Sequence, residues 1–161
     1  MEDTVIIYYS LDGNTDHVAR CIAEKTGAKL VRLETKRAYP RKGFKKFFIG
    51  GRDALFGARP ELKASFPDLA PFGNIVIGTP VWASRPSPAI NTFLRRAKLD
   101  GKRIALFACS GGGQAKTCLD KMEALLTGNE ILCRASFVNP AFKRGKTIDD
   151  AIDEIISALS D

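Results

Sequence analysis

The chain has 161 residues, about one domain's worth; 45% are apolar and 27% charged, so it can bury a core unaided and is not a disordered segment. No apolar run approaches the ~18 residues of a membrane span, and the acidic start, Met1-Glu2-Asp3, leads into a strand-like run with no secretory signal in view. The net charge of +7 is concentrated: between residues 29 and 63 eleven bases face three acids, while the rest of the chain nets −1, an asymmetry that speaks of partners rather than of fold.

Residues 5–9 read as a buried strand, continuous and β-rich. The spacing of Val18, Ala19, Ile22 and Ala23 predicts a helix over 14–26, stopped by Gly27. A second strand is expected over 29–33. In the long connection over 34–71, Phe44, Phe47, Phe48 and Leu55 recur at helical spacing, broken at Gly50-Gly51. This reads as a helix on the domain edge with its aromatic face buried, or as a basic, aromatic docking surface. Single-stranded nucleic acid and an anionic membrane are the disfavoured partners for that segment.

A third strand is expected over 74–77, entered through Gly73 and left through Gly78. A helix over 87–97 follows, with prolines at its start where they are tolerated. Then come a strand over 103–108, a helix over 114–126, a strand over 130–135 and a helix over 147–159. Such alternation predicts one α/β domain over 1–161, a parallel sheet with helices on both faces and a basic aromatic insert at about 34–66. Ligands of such sheets lie outside the carboxyl ends of the strands, at a topological switch point.

Cys21, Cys109, Cys118 and Cys133 form no C-x-x-C pair, and His17 is the single histidine. That removes zinc-finger spacing and most histidine catalysis, and suggests free thiols in a reducing cytoplasm. Cys109 has no base near it in sequence to make it a nucleophile.

Three loops could carry chemistry. After the first strand, Ser10, Asn14 and Thr15 offer neutral donors, Gly13 allows close backbone approach, and a helix start adds free N–H groups. Together they make a phosphate cradle without a basic side chain, or a plain helix cap. After the third strand, Thr79-Pro80-Val81-Trp82-Ala83 places the only tryptophan at the ligand edge, where a flat heterocycle could stack, or where the ring could pack into the core. After the fourth, Cys109-Ser110-Gly111-Gly112-Gly113 leaves backbone groups bare. Ala115 stands where a P-loop needs its second glycine, and the G-x-G-x-x-G pattern is incomplete.

Strand, Ser10-x-x-Gly13-Asn14-Thr15, helix resembles the phosphate loop of the flavodoxin family, which often has Ser or Thr in place of Asp12. Gly78-Thr-Pro-Val-Trp-Ala-x-x-Pro-Ser-Pro88 resembles the flavin-contacting loop of short flavodoxin-like proteins. Tyr39-Pro40, Gly43-Phe44 and Ala54-Leu55-Phe56 are similar to that group as well. The resemblance covers nearly the whole chain. It implies a five-stranded parallel sheet of order 2-1-3-4-5 and FMN as cofactor. It places the phosphate on Ser10, Asp12 (through its N–H), Gly13, Asn14 and Thr15. The ring then falls along Thr79, Pro80, Val81, Trp82 and Ala83, and its pyrimidine end against Cys109, Ser110, Gly111, Gly112 and Gly113. No metal is implied.

The leading expectation is an electron carrier between a reductase and an acceptor protein. A reductase using a nicotinamide and a quinone, and a non-catalytic binding module, are the alternatives. Members of the family are typically acidic, so this basic chain is expected to dock an acidic partner. Many carriers have a glycine in the ring loop whose peptide turns toward the flavin; here a turned peptide would strain a non-glycine residue. The chain is expected to be a monomer or a homodimer.

Overall fold

The computed structural model describes residues 3–41, 44–143 and 145–160, with side chains throughout except at positions 44, 46 and 47. The elements in chain order are β1 (Thr4–Tyr8), α1 (Asn14–Thr26), β2 (Lys29–Arg32), α2 (Phe44–Leu55), β3 (Asn74–Trp82), β4 (Arg85–Pro86), α3 (Pro88–Arg96), β5 (Arg103–Ser110), α4 (Ala115–Glu123), β6 (Glu130–Val138) and α5 (Lys146–Ser160). Five strands pair in parallel in the order β2-β1-β3-β5-β6, the expected 2-1-3-4-5 path. A sixth, β4, pairs antiparallel with β3.

Period-two alternation divides each central strand between two cores. Val5, Ile7, Ile75, Ile77, Ile104 and Leu106 point to one face, under Ile90 and Phe93 of α3 and Cys118 and Met122 of α4. Ile6, Tyr8, Val76, Ala105 and Phe107 point to the other, under Val18 and Ile22 of α1 and Ile152 and Ile155 of α5. The strands are apolar throughout because both faces are covered. The chain runs outward from β1 to β2, then returns and builds outward from β3, so the switch point lies between the ends of β1 and β3.

Three readings are corrected. β3 does not stop at Gly78; it continues to Trp82 and turns back into β4. A Cβ at Gly78 would stand 2.1 Å from Phe107 Cζ, so this glycine makes room for a ring across the ladder and does not end the strand. α2 is not broken at Gly50-Gly51. A Cβ at Gly50 would meet the Trp82 ring at 3.1 Å, so the glycine lets the helix backbone lie against the indole. Nor is the α2 aromatic face buried where it is described: Phe48 is 64% and Leu55 51% exposed, and the small residues Gly50 and Ala54 face inward instead. The side chains of Phe44 and Phe47 lie outside the described residues.

The insert is closed at its base. Thr35 and Leu62 form an antiparallel bridge, flanked by Lys36 N–H to Glu61 O and Lys63 N–H to Glu34 O, both 2.8 Å. All three of its acids pair with its own bases, Glu34 with Lys63, Glu61 with Lys36 and Asp53 with Arg52, while Arg37, Arg41, Lys45 and Arg59 are exposed. No helix among the described residues is long and apolar enough to cross a membrane.

Candidate functional site

A pocket of about 320 Å3 opens at the carboxyl ends of β1, β3, β5 and β6. Of the residues expected there, Asp12, Asn14, Pro80, Val81, Trp82, Ala83, Cys109, Ser110 and Gly111 line it. Ser10, Gly13, Thr15, Thr79, Gly112 and Gly113 do not line it. Gly51 and Asn139 line it without having been expected.

The wall begins at α1. Gly13 (φ +99°) turns the chain into the helix, and its N–H donates to Ser10 Oγ at 3.2 Å. The N–H groups of Thr15 and Asp16 belong to the first turn, where no intrahelical acceptor exists. Thr15 Oγ1 is buried and, apart from the weakly bonding Cys109 thiol, has no hydrogen-bond partner among the described residues. An orphaned hydroxyl beside free amides at the positive end of a helix suits an anion that completes the set. Asp12, where the family often has Ser or Thr, is exposed, and its carboxylate accepts from Asn14 Nδ2 at 3.4 Å, within its own loop.

Asp16, in the first turn, does not oppose an anion either. Arg20 and Arg32 both pair with it, and Tyr8 OH donates to it at 2.6 Å. Burial alone would raise its pKa; the hydrogen bonds from Tyr8 and Arg20 and the nearby Arg32 outweigh that and hold the carboxyl below its ordinary value. A depressed carboxyl contributes stability that is full above the unfolded-state pKa and is lost as pH falls through the native one. Asp16→Ala also strands the buried Tyr8 hydroxyl. We expect it to cost on the order of 1 kcal/mol at pH 7, with the deficit shrinking in acid unfolding series below the ordinary aspartate range. A deficit constant with pH would remove the carboxylate from this account.

The opposite wall is the β3–β4 hairpin. Trp82 is half-buried, edge-on to Tyr9 (5.8 Å) and Tyr39 (5.1 Å) and backed by Gly50, so it is both core packing and pocket lining. The turn residues Ala83 (φ +49°) and Ser84 (φ +59°) are both left-handed, in a two-residue hairpin where Asn-Gly is the usual choice. Strain at a non-glycine residue of this loop is therefore already present in the fold. Thr79 is fully buried and its hydroxyl is used internally, accepting from Ser87 N at 2.9 Å and donating to Pro80 O. It shapes the hairpin rather than the pocket wall.

The floor repeats the first loop's device. Ser110 Oγ accepts from Gly113 N at 3.1 Å, as Ser10 does from Gly13. Asn139 Nδ2 donates to Gly111 O, and Ala141 N–H donates to Asn14 Oδ1, so the loop after β6 joins the floor to the first loop. Asn139 was missed because β6 was expected to end at 135; its extension to Val138 delivers the loop to the site. The signal was the Asn139-Pro140 pair directly after an apolar run. Gly51 carried no signal beyond the doubled glycine.

The titratable neighbours that are shifted move away from neutrality. Burial pushes the Cys109 thiol up to about 12, against a lowering by its contact with the Thr15 hydroxyl. Burial likewise raises Tyr9 to about 12. Tyr39 rises through burial and through Asp53, which accepts its hydroxyl at 3.1 Å. These groups stay protonated near pH 7 and offer neither thiolate nor general base. The pocket is built to hold a flat, phosphorylated molecule and to shield it.

Comparison with known proteins agrees with this geometry. The flavodoxin family profile matches residues 3–149. A flavoprotein from Lactobacillus acidophilus NCFM, solved in complex with FMN, superposes with a TM-score of 0.73 at 23% identity, over 94% of this chain and 99% of that one. A flavoprotein from Bacteroides uniformis gives 0.77 at 21% identity, over 94% and 98%. The two-electron reduced flavodoxin of Megasphaera elsdenii gives 0.59 at 18% identity, over 98% and 99%. Comparison with curated proteins finds no significant match. With its profile spanning nearly the whole chain and its strand order and loop cradle in agreement, the protein belongs to the flavodoxin family.

Proposed function

We propose that the protein holds FMN in this pocket and passes electrons between a donor and an acceptor protein. The observation that carries this reading is a helix start with free amides and a buried Thr15 hydroxyl, which among the described residues meets only the Cys109 thiol, set beside a pocket that Asp12 and Asn14 line on one side and Trp82 on the other. Bound FMN supplies the redox chemistry. The chain's own residues do the rest. Ser10 and Gly13 shape the phosphate turn, Thr15 donates to the phosphate, and Trp82 and Gly51 limit access to the ring. Ala83 and the Gly111 loop bring backbone groups to its edge.

The route to the partner is the outer face of α2. This helix reaches the pocket through Gly51 and presents Phe48, Leu55 and Phe56 outward among Lys45, Arg52 and Arg59. An apolar patch ringed by bases suits a partner with an acidic rim, and screening by salt should slow their encounter.

The test is an anaerobic reductive titration of the FMN-loaded protein, followed by stopped-flow transfer at several ionic strengths. Two resolvable one-electron potentials, and transfer that slows as salt rises and with Arg52→Glu, are expected. A single two-electron wave with rapid nicotinamide oxidation would replace the carrier with the reductase. Transfer indifferent to salt would remove the acidic partner.

A further inference from the structure

We propose a second binding site, for the phosphate of a small phosphate monoester, in the cleft between the β3–β4 hairpin and the ends of α2, α3 and α4. The cleft has a volume of about 180 Å3, with Arg85, Arg95, Lys121 and Asn91 around it and Ala54 and Pro86 among its apolar lining. It lies beside the FMN pocket and shares none of that pocket's lining residues.

The first support is an uncompensated charge. Among the described residues no carboxylate lines the cleft. The acids nearest in sequence are turned elsewhere. Asp120 pairs with Lys116 and Arg134, Glu123 with Arg134, and Asp53 with Arg52 and the Tyr39 hydroxyl. Arg85 and Lys121 are half-buried, yet make no ion pair or side-chain hydrogen bond among the described residues. Arg85 and Lys121, half-buried, and Arg95, at the exposed rim, line one cleft with no counter-charge, an arrangement that an anion would relieve.

The second support is orientation. Asn91 is 7% exposed; its amide donates to Gly57 O and Ala58 O, both 3.0 Å, which fixes its oxygen. That oxygen accepts from Arg95 Nε at 3.1 Å, setting the guanidinium and leaving both terminal nitrogens available. Arg85 is carried by the short hairpin, opposite Trp82, with β4 packed on α4. Two arginine forks from different elements match the oxygens of a phosphate.

The third support is charge matching. Arg95 and Lys121 stand in the last turns of α3 and α4, where each helix end contributes about −0.5 charge. Three cations less these two half-charges leave about +2. A phosphate monoester carries about −1.5 to −2 near neutrality, whereas a carboxylate carries one charge. The apolar walls give the ester's organic part a place to lie.

The test uses FMN-saturated protein, so that the cradle at α1 is filled, and follows backbone amide NMR shifts during titration with phenyl phosphate and, separately, benzoate. Saturable shifts should gather at Arg85, Arg95 and Lys121, with phenyl phosphate binding about tenfold tighter than benzoate. Arg85→Gln and Arg95→Gln should each weaken it about tenfold, and Lys121→Glu should abolish it, while FMN binding persists in all three. Shifts spread over the basic insert and indifferent to these variants would overturn the site, as would equal binding of benzoate. Should FMN fail to bind, the same titration still separates the two sites: phosphate at α1 would shift the amides of residues 13–16, and phosphate in the cleft those around Arg85 and Lys121.

Discussion

Replacing Thr15 by valine is expected to stabilise the FMN-free protein by about 1 kcal/mol and to weaken FMN binding by about tenfold or more. The two effects have opposite signs for one reason. The Thr15 hydroxyl is 1% exposed residue and all, and apart from the neighbouring Cys109 thiol it meets no partner among the described residues. Without ligand, a buried donor is left unsatisfied, and valine fills nearly the same shape with no polar atom to bury. In the proposed complex the hydroxyl would meet a charged phosphate, and a hydrogen bond to a charged group is among the stronger ones. Urea unfolding without FMN and fluorescence titration with it would measure both. A variant that loses stability and keeps full FMN affinity would make Thr15 a packing residue only.

Gly78→Ala is expected to cost about 3 kcal/mol of stability, at the upper end for a small-to-large change in a packed core. The added methyl would stand 2.1 Å from Phe107 Cζ and 2.5 Å from Cε1. Phe107 is the ladder partner of Gly78, is fully buried and packs edge-on against Phe137 at 6.1 Å, so its ring cannot swing aside. The strand itself must move, and β3 carries Pro80 to Trp82 into the pocket. FMN affinity should therefore fall with stability. Gly112→Ala is the control, because a methyl there meets nothing within 4 Å. Equal unfolding midpoints for the two variants would refute the close approach.

Legibility followed the range of the signal. Val5 to Tyr9 could be read as a two-sided buried strand because alternate residues enter different cores and all of them are apolar. Gly27 could be read as a helix stop because its φ of +71° is a local requirement. Gly78 and Gly50 could not be read, although they are the same residue type. Each is defined by a ring distant in sequence, Phe107 and Trp82 respectively. A glycine reports that a side chain is missing, and only the neighbour tells whether the chain bends or something approaches.

The same distinction separates the parts of the site. Ser10, Gly13, Asn14 and Thr15 lie in one turn, so the pattern that suggests an anion cradle is contained within six residues of chain. Asn139 reaches the pocket only because β6 runs past the expected boundary, beside a β5 that also runs on to Ser110. Gly51 reaches it because α2 lies flat on Trp82. The cleft of Arg85, Arg95 and Lys121 draws on three elements, and no spacing along the chain brings them together.

By itself the sequence determined the α/β alternation, the two-faced sheet, the glycine turn into the first helix and the place of the excess charge, because each is written in periodicity, turn chemistry or composition over a short span. The tertiary structure alone decided how far the central strands run, which face of α2 is buried, that Thr79 serves the hairpin, and which bases stand together without an acid. Those depend on contacts between residues far apart in the chain, where packing and charge are settled by what the fold brings alongside.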